Sequence, residues 1–320
     1  MGEWRLIVAC SSGWKRVGLA ILSTLALGCV VVGCGGASAK QPDEVTITVS
    51  SRGYSEDVLL REIYAQALEA AGFEVKRFNG KLSLISEGLE NGEVSGYPDY
   101  LDTALTEVTP LKLAYAPGSP EVAYEEAKRE FGKKGLVPFP PASVARTNAV
   151  GLLKRTAHER GLKTLSDLKG PAEEMTVEGP LYCHTRSDCV GGLERRYGIF
   201  FNKGFIQTKP GASSLPLYKA LKDGEADAVM LVATDGRLVG KNWLTLLEDD
   251  EHRLPAANVF WMTRQNVIDE AGPDYEKAIL AAQTGLTVEV MRKLNAKVEL
   301  EEEQPAKVAA EYLKSIGLKG

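Results

Sequence analysis

Between residue 44 and about residue 263 the chain alternates short β-rich runs with helical ones, and this restricts the fold more than any other feature. "EVTITVS" (44–50) is β-branched and alternating, so it reads as a strand. In the following "SEDVLLREIYAQALEAAG", Leu59, Ile63, Ala67 and Ala70 recur at helical spacing. Ser55 suits an N-cap, Glu56 and Asp57 a first turn, and Gly72 a C-terminal stop. "FEVKRF" is the next strand. After about residue 263 helices dominate, through "DYEKAILAAQTGL", "TVEVMRKLNA" and "QPAKVAAEYLKSIG". Alternation of this kind implies an α/β fold, with helices layered on mainly parallel sheets.

Two segments share one pattern. "ISEGLENGEVSGYPDYLDTAL" (85–105) and "LYKALKDGEADAVMLVATDGRL" (217–238) each end a helix at Asn91-Gly92 or Asp223-Gly224. Each then carries an acid, a short apolar strand and a polar loop that opens another helix. One such unit in each half suggests two similar lobes. Ligands of open α/β sheets sit beyond the carboxyl ends of the strands, so facing lobes would enclose a cleft lined by these loops. That is the architecture of a hinge-closing binding protein.

The N-terminus reports the compartment. Arg5, Lys15 and Arg16 precede an uncharged run from Val17 to Gly33, and small residues follow, as in a secretory signal. The four residues Val31-Val32-Gly33-Cys34 resemble a bacterial lipobox, in which Cys34 is lipidated and becomes the first mature residue. A plain transmembrane anchor is the competing reading, and Cys29 is a second, poorer lipidation candidate. The expected division is therefore a signal over 1–33, a flexible tether over 34–43 and an extracytoplasmic body held to the membrane by its lipid. Cys183 and Cys189 are then the only thiols of the mature domain. Their spacing is not C-x-x-C, and with His184 they give three metal ligands and no obvious fourth. They are either free core thiols or a local disulfide, and an oxidising compartment favours the disulfide.

Charge and motif content exclude several functions. Removing residues 1–33 leaves 35 Lys+Arg against 42 Asp+Glu, a net charge of −7, which argues against a nucleic-acid partner. The three histidines form no H-E-x-x-H, no G-x-S-x-G elbow is present, and no phosphate-binding P-loop appears. Neither a metal nor a cofactor is expected, any ATP hydrolysis falls to a separate subunit, and an exported enzyme on the same scaffold is a distant competing function.

The motifs "SSRGYSEDVLLREIYAQALEAAGFEV", "LENGEVSGYPDYLDTAL", "CHTRSDCVGGLERRYG", "YKALKDGEADAV" and "TDGR" occur in an order that resembles the glycine betaine/choline-binding proteins of bacterial ABC importers. The resemblance runs from about residue 44 to the C-terminus. It implies a type II-like periplasmic-binding-protein fold, not an enzyme, that closes on a small zwitterion such as glycine betaine, choline or carnitine. The partners it implies are an ABC permease and separate ATPase subunits. Lobe I is expected over 44–148 and 235–320 and lobe II over 149–234.

By that resemblance, Arg52 and Arg186 hold the ligand carboxylate. Of the family's tyrosine box for the quaternary ammonium, only Tyr218 is kept, and the other positions fall on Ser86, Ala149 and Val232. Tyr54, Tyr97 and Tyr100 are candidates for a replacement aromatic wall, and Ser55, Thr234 and Asp235 for polar contacts. The departure from the box leaves open a second ligand class, a small carboxylate or amino acid without a quaternary nitrogen.

Overall fold

The computed structural model describes residues 45–109, 111–208 and 214–318. The expected signal, the tether and Cys34 lie outside them.

The first sheet begins with β1 (Thr46–Ser51), parallel to β2 (Glu74–Asn79) and β3 (Gly96–Tyr100). β4 (Leu136–Pro138) is its other edge. The second sheet starts with β5 (Asn148–Leu153) and adds β6 (Thr176–Gly179), β7 (Gly204–Gln207), β8 (Ala228–Val232) and β9 (Leu244–Leu246). β10 (Val259–Arg264) returns to the first sheet. The strand orders are β2-β1-β3-β10-β4 and β7-β6-β8-β5-β9, the same plan twice.

Apolar layers cover both faces of each sheet, which explains why a central strand such as β8, Ala-Val-Met-Leu-Val, reads as a continuous hydrophobic run. Side chains alternate between the layers with the period of two that a pleated strand imposes. Along β10, Val259 and Trp261 enter one core while Phe260 and Met262 enter the other. Along β8, Ala228 and Met230 face one layer and Val229 and Leu231 the opposite one. Helix Ser55–Ala70 buries Leu59, Leu60, Ile63, Tyr64, Ala67 and Leu68 against the first sheet. Gly92 and Gly224 end their helices at φ +97° and +77°, left-handed conformations that cost glycine little, so the paired pattern in the sequence marks equivalent corners.

One strand in each sheet runs against its neighbours. β10 is antiparallel to β3 and β4, and β5 is antiparallel to β8 and β9. These are the two strands the chain builds immediately after crossing from the other lobe. A crossing chain arrives at the end where the parallel strands finish, so its next strand has to run the opposite way. The registers agree: Val259, the first residue of β10, lies opposite Tyr100, the last of β3, and Asn148 lies opposite Val232.

The outgoing crossing segment, 139–147, runs along the start of β10 and meets the end of the returning segment, 247–258. Phe139 N donates to Trp261 O (2.8 Å), Ala142 N to Val259 O (2.8 Å), Val259 N to Val144 O (3.0 Å) and Arg146 N to Ala257 O (2.9 Å). Asn258 Nδ2 adds a bond to Ala142 O (3.0 Å). Arg196 of the second lobe is a further tie. Its guanidinium donates to the carbonyls of Leu113, Ala114, Ala116 and Arg253 at 2.6–3.0 Å.

Two expectations are corrected. The second lobe does not end at residue 234: β9 pairs with β5, so its sheet reaches Leu246. The loop after β8 misled the sequence division because it docks on the first lobe's helix Val288–Glu299. Gly236 lies so close to it that a Cβ would stand 2.5 Å from Ala296 N. Ser55 is not the N-cap of its helix. Tyr54 occupies that position with no side-chain bond, and the Ser55 hydroxyl instead donates to a stronger acceptor, the Glu299 carboxylate. Four helices do close the chain: Gln265–Ala271, Pro273–Gln283, Val288–Glu299 and Pro305–Ser315. No helix among the described residues is long and apolar enough to cross a membrane.

Candidate functional site

A cleft of about 1200 Å³ opens where the parallel strands of both sheets end. The first lobe contributes the loops after β1 and β3, and the second lobe those after β6 and β8. Helix Val288–Glu299 adds Asn295 and Glu299, and the outgoing crossing segment adds Arg146.

Tyr100 is the centre of the first lobe's wall. Its hydroxyl donates to Glu56 Oε1 at 2.6 Å, with Asp57 Oδ1 at 3.1 Å. The Arg52 and Arg146 guanidiniums lie over its ring, 5.2 and 5.8 Å from the centroid. Arg52 Nε reaches Asp57 Oδ2 at 2.8 Å and its Nη2 reaches Asp99 Oδ1 at 3.2 Å. Burial works against the Arg52 charge, yet Asp99 and Asp57 hold the guanidinium above its ordinary value. Burial pushes the Tyr100 hydroxyl well up, and the nearby Glu56 and Asp57 charges push it further. Asn295 fastens this wall to the second lobe: its Nδ2 donates to Glu56 Oε2 (2.6 Å) and to Thr234 O (2.9 Å).

On the facing wall, Cys183 and Cys189 are joined by a disulfide and both are buried in the second lobe's core. Arg186, inside the strapped loop, lines the cleft but closes its fork on Asp188, Nε to Oδ1 at 2.9 Å and Nη2 to Oδ2 at 2.7 Å. Asn148 Nδ2 donates to the same carboxylate at 3.1 Å. Bonding to Asp188 holds Arg186 above its ordinary value.

The structure places Arg52, Tyr54, Ser55, Tyr100, Arg186, Thr234 and Asp235 on the cleft. It does not place Tyr97 or Tyr218 there. Tyr97 and Tyr100 are three residues apart on one strand, so they point to opposite faces of β3, and Tyr97 enters the far core with Leu101 and Phe260. Tyr218 is buried in a core layer of the second lobe and donates its hydroxyl to Asp235 Oδ2 at 3.1 Å. Asp235 also accepts from Arg237 N (2.8 Å), so much of its hydrogen-bonding capacity goes to shaping its own loop.

Arg146, Asn148, Tyr182 and Asn295 carry no mark in the sequence analysis, whereas Glu56 and Asp57 do stand in the first turn of their helix. Both acids are also buried at the cleft, which first-turn placement does not announce. Asn295 carried a usable signal, a polar side chain on the apolar stripe of an amphipathic helix beside Met291 and Leu294. Tyr54, 73% exposed, is the cleft tyrosine left open, while Tyr182, 53% exposed and adjacent to the disulfide, has the Arg186 guanidinium 5.5 Å from its ring centroid.

Two α/β lobes joined by paired crossing segments, with a charged cleft between them, define a solute-binding protein. The chain belongs to the family described as the substrate binding domain of ABC-type glycine betaine transport systems, which matches residues 45–315. It is thus a substrate-binding component of an ABC transport system, and proteins of this kind bind small ligands and work with permease and ATPase subunits. The glycine-betaine-binding protein of Pseudomonas aeruginosa is 25% identical over 306 residues, spanning 92% of this chain and 94% of that one. The carnitine transport binding protein OpuCC of Listeria monocytogenes is 25% identical over 316 residues, covering 93% and 96%. Among solved structures, a glycine betaine/carnitine/choline ABC transporter protein superposes with a TM-score of 0.73 at 23% identity, covering 85% of this chain and 99% of that one. Apo YehZ from Escherichia coli gives 0.72 at 22% identity, covering 86% and 99%.

Asp102 is a second, titratable feature of this region. Burial, then the Asp188 charge, pushes its carboxyl from 3.8 up to about 7, while its Oδ1 accepts from Thr103 N at 2.7 Å. A carboxyl raised in this way holds its proton more tightly in the folded than in the unfolded protein. It therefore penalises the folded state as pH rises from about 4 through about 7, and the penalty disappears in acid. Asp102→Asn keeps the acceptor and cannot ionise. It should stabilise the protein by roughly 1–3 kcal/mol at pH 8.5, with the advantage shrinking towards pH 5. Chemical denaturation at the two pH values checks this; an advantage of equal size at both would show that ionisation of Asp102 is not its source.

Proposed function

We propose that the protein captures a small zwitterion carrying a quaternary ammonium and a carboxylate, with glycine betaine and carnitine as the reference compounds and choline as the related cation, and delivers it by hinge closure to its permease. The observation that carries this reading is the composition of the cleft. Arginines, carboxylates and the exposed tyrosines Tyr54 and Tyr182 converge on one cavity, so both ends of a zwitterion meet complementary chemistry. An ammonium without N–H groups gains from carboxylate charge and aromatic faces, about 0.5–2 kcal/mol for each well-placed ring. The relatives named for glycine betaine and carnitine support the same class of ligand.

Closure would couple binding to transport. A ligand that bridges two walls binds the closed form better than the open one and shifts the population accordingly. A separate ATPase would supply the energy, consistent with the absence of a P-loop from the sequence. The proposal includes a lipid on Cys34 that tethers the body to the outer face of the cell membrane.

Thermal melting against a ligand panel tests the assignment. Glycine betaine, carnitine or choline at about 100 times its dissociation constant should add ~2.7 kcal/mol, a rise of roughly 5–10 °C. A rise only with amino acids and carboxylates that lack a quaternary nitrogen, or with nothing in the panel, would overturn it. For the anchor, Cys34→Ala should move the protein from the membrane fraction to the soluble one. Retention of the variant in the membrane would assign the attachment to the apolar segment instead.

A further inference from the structure

Four arginines line the cleft, and three of them are flanked by carboxylates that already engage or enclose them. Arg52 holds Asp57 and Asp99, and its side chain is only 15% exposed. Arg186 is closed on Asp188 through both arms of its fork. Arg237 lies between two carboxylates, Asp235 and Glu299, at 3.9 and 3.7 Å; neither is within hydrogen-bond reach, but together they crowd the guanidinium and leave it 23% exposed. A ligand carboxylate arriving at any of these has to displace or crowd a carboxylate that is already there.

Arg146 is the most exposed of the four and has a single carboxylate within 4 Å. Its carboxylate contact is Glu56 Oε1 at 3.6 Å, beyond hydrogen-bond reach. That carboxylate is committed elsewhere, accepting from Tyr100 and Asn295, each at 2.6 Å. Among the described residues no hydrogen bond engages the five N–H groups of Arg146, and its side chain is 47% exposed at the cleft. The Tyr100 ring beneath it, 5.8 Å away, gives the guanidinium a surface to lie on. A planar fork held in that way is suited to take a carboxylate through two parallel bonds, and nothing has to be broken first.

We infer that Arg146, rather than Arg52 or Arg186, is the anchor for the ligand carboxylate. The inference rests on the zwitterionic ligand proposed above and names the residue that reads its anionic end. The position has a mechanical consequence. Arg146 belongs to the crossing segment, and its backbone N–H pairs with Ala257 of the returning one, so the bound carboxylate is fixed to the hinge itself. A ligand seated there stands between both walls and can be met by either lobe as the cleft closes. Arg52 and Arg186, in this account, are positioning residues that neutralise the carboxylates around the site.

Calorimetric titration of the wild type, R146Q, R146K and R186Q with glycine betaine and with choline, which lacks the carboxylate, tests the assignment. R146Q should weaken glycine betaine more than tenfold and choline less than threefold. R146K should recover part of the loss, and R186Q should cost less than R146Q. Thermal melts of the free variants establish that they are folded, and R146K keeps the charge if R146Q is not. Equal losses for the two ligands would mean that Arg146 acts through the hinge and not on the carboxylate. A glycine betaine loss at Arg186 that matches or exceeds the loss at Arg146 would overturn the proposal on its own. A wild type that binds neither compound would instead remove the ligand assignment, a failure visible before any substitution is compared.

Discussion

The paired crossing segments are the constraint on which the rest of the structure depends. Once the chain passes from one sheet to the other and back, β5 and β10 must run against their neighbours, and the ends of the remaining strands must converge on the cleft. The ladder that 139–147 forms with residues 257–261 is short and made of main-chain bonds. Such a connection holds the lobes in register, yet a few φ/ψ changes within it can rotate one lobe against the other. The contacts of Arg196 with the 113–116 loop, and of the 234–236 loop with helix Val288–Glu299, are the remaining ties that such a rotation has to accommodate.

Within the cleft, electrostatics dominate packing. Glu56, Asp57 and Asp99 lie buried within one small volume, a costly arrangement unless cations accompany them. Arg52 supplies direct pairing, Tyr100 and Asn295 supply hydrogen bonds, and Arg146 supplies charge from slightly further away. The first lobe thus enters binding with most of its strong pairs already made. In the proposed reading, specificity falls to the groups with capacity left, Arg146 and the exposed ring of Tyr54, with Tyr182 already under the Arg186 guanidinium.

Much of the fold was legible in the sequence because it rests on local rules. The helical stripe of Leu59 and Ile63, the corners at Gly92 and Gly224 and the closing helices follow from periodicity and turn chemistry. The Cys183–Cys189 bridge followed from compartment and spacing. What escaped depended on contacts between distant segments. The direction of β5 and β10 is decided by the crossing, which has no residue signature. The limit of the second lobe was misplaced because the loop at 234–236 touches one lobe while β9 pairs in the other.

The site was legible only as a set of loops. Period two on β3 was sufficient to separate Tyr97 from Tyr100, but both had been read as neighbours of one cleft. Arg186 was recognisable and so was Asp188, two residues away; that the two would close on each other was a matter of loop geometry. Arg146 lay in a stretch with no helical or strand pattern. Its standing comes from what surrounds it: an aromatic ring below, a committed carboxylate beside it and the hinge at its own backbone.

The central claim is that the two lobes close on a ligand held between them. A distance measurement between spin labels at Lys128→Cys in the first lobe and Lys219→Cys in the second, both at exposed positions, addresses it directly. Addition of saturating glycine betaine should move the distance distribution to a shorter, narrower one. An unchanged distribution in a sample that calorimetry shows to be fully occupied would contradict closure and leave a rigid cleft in its place.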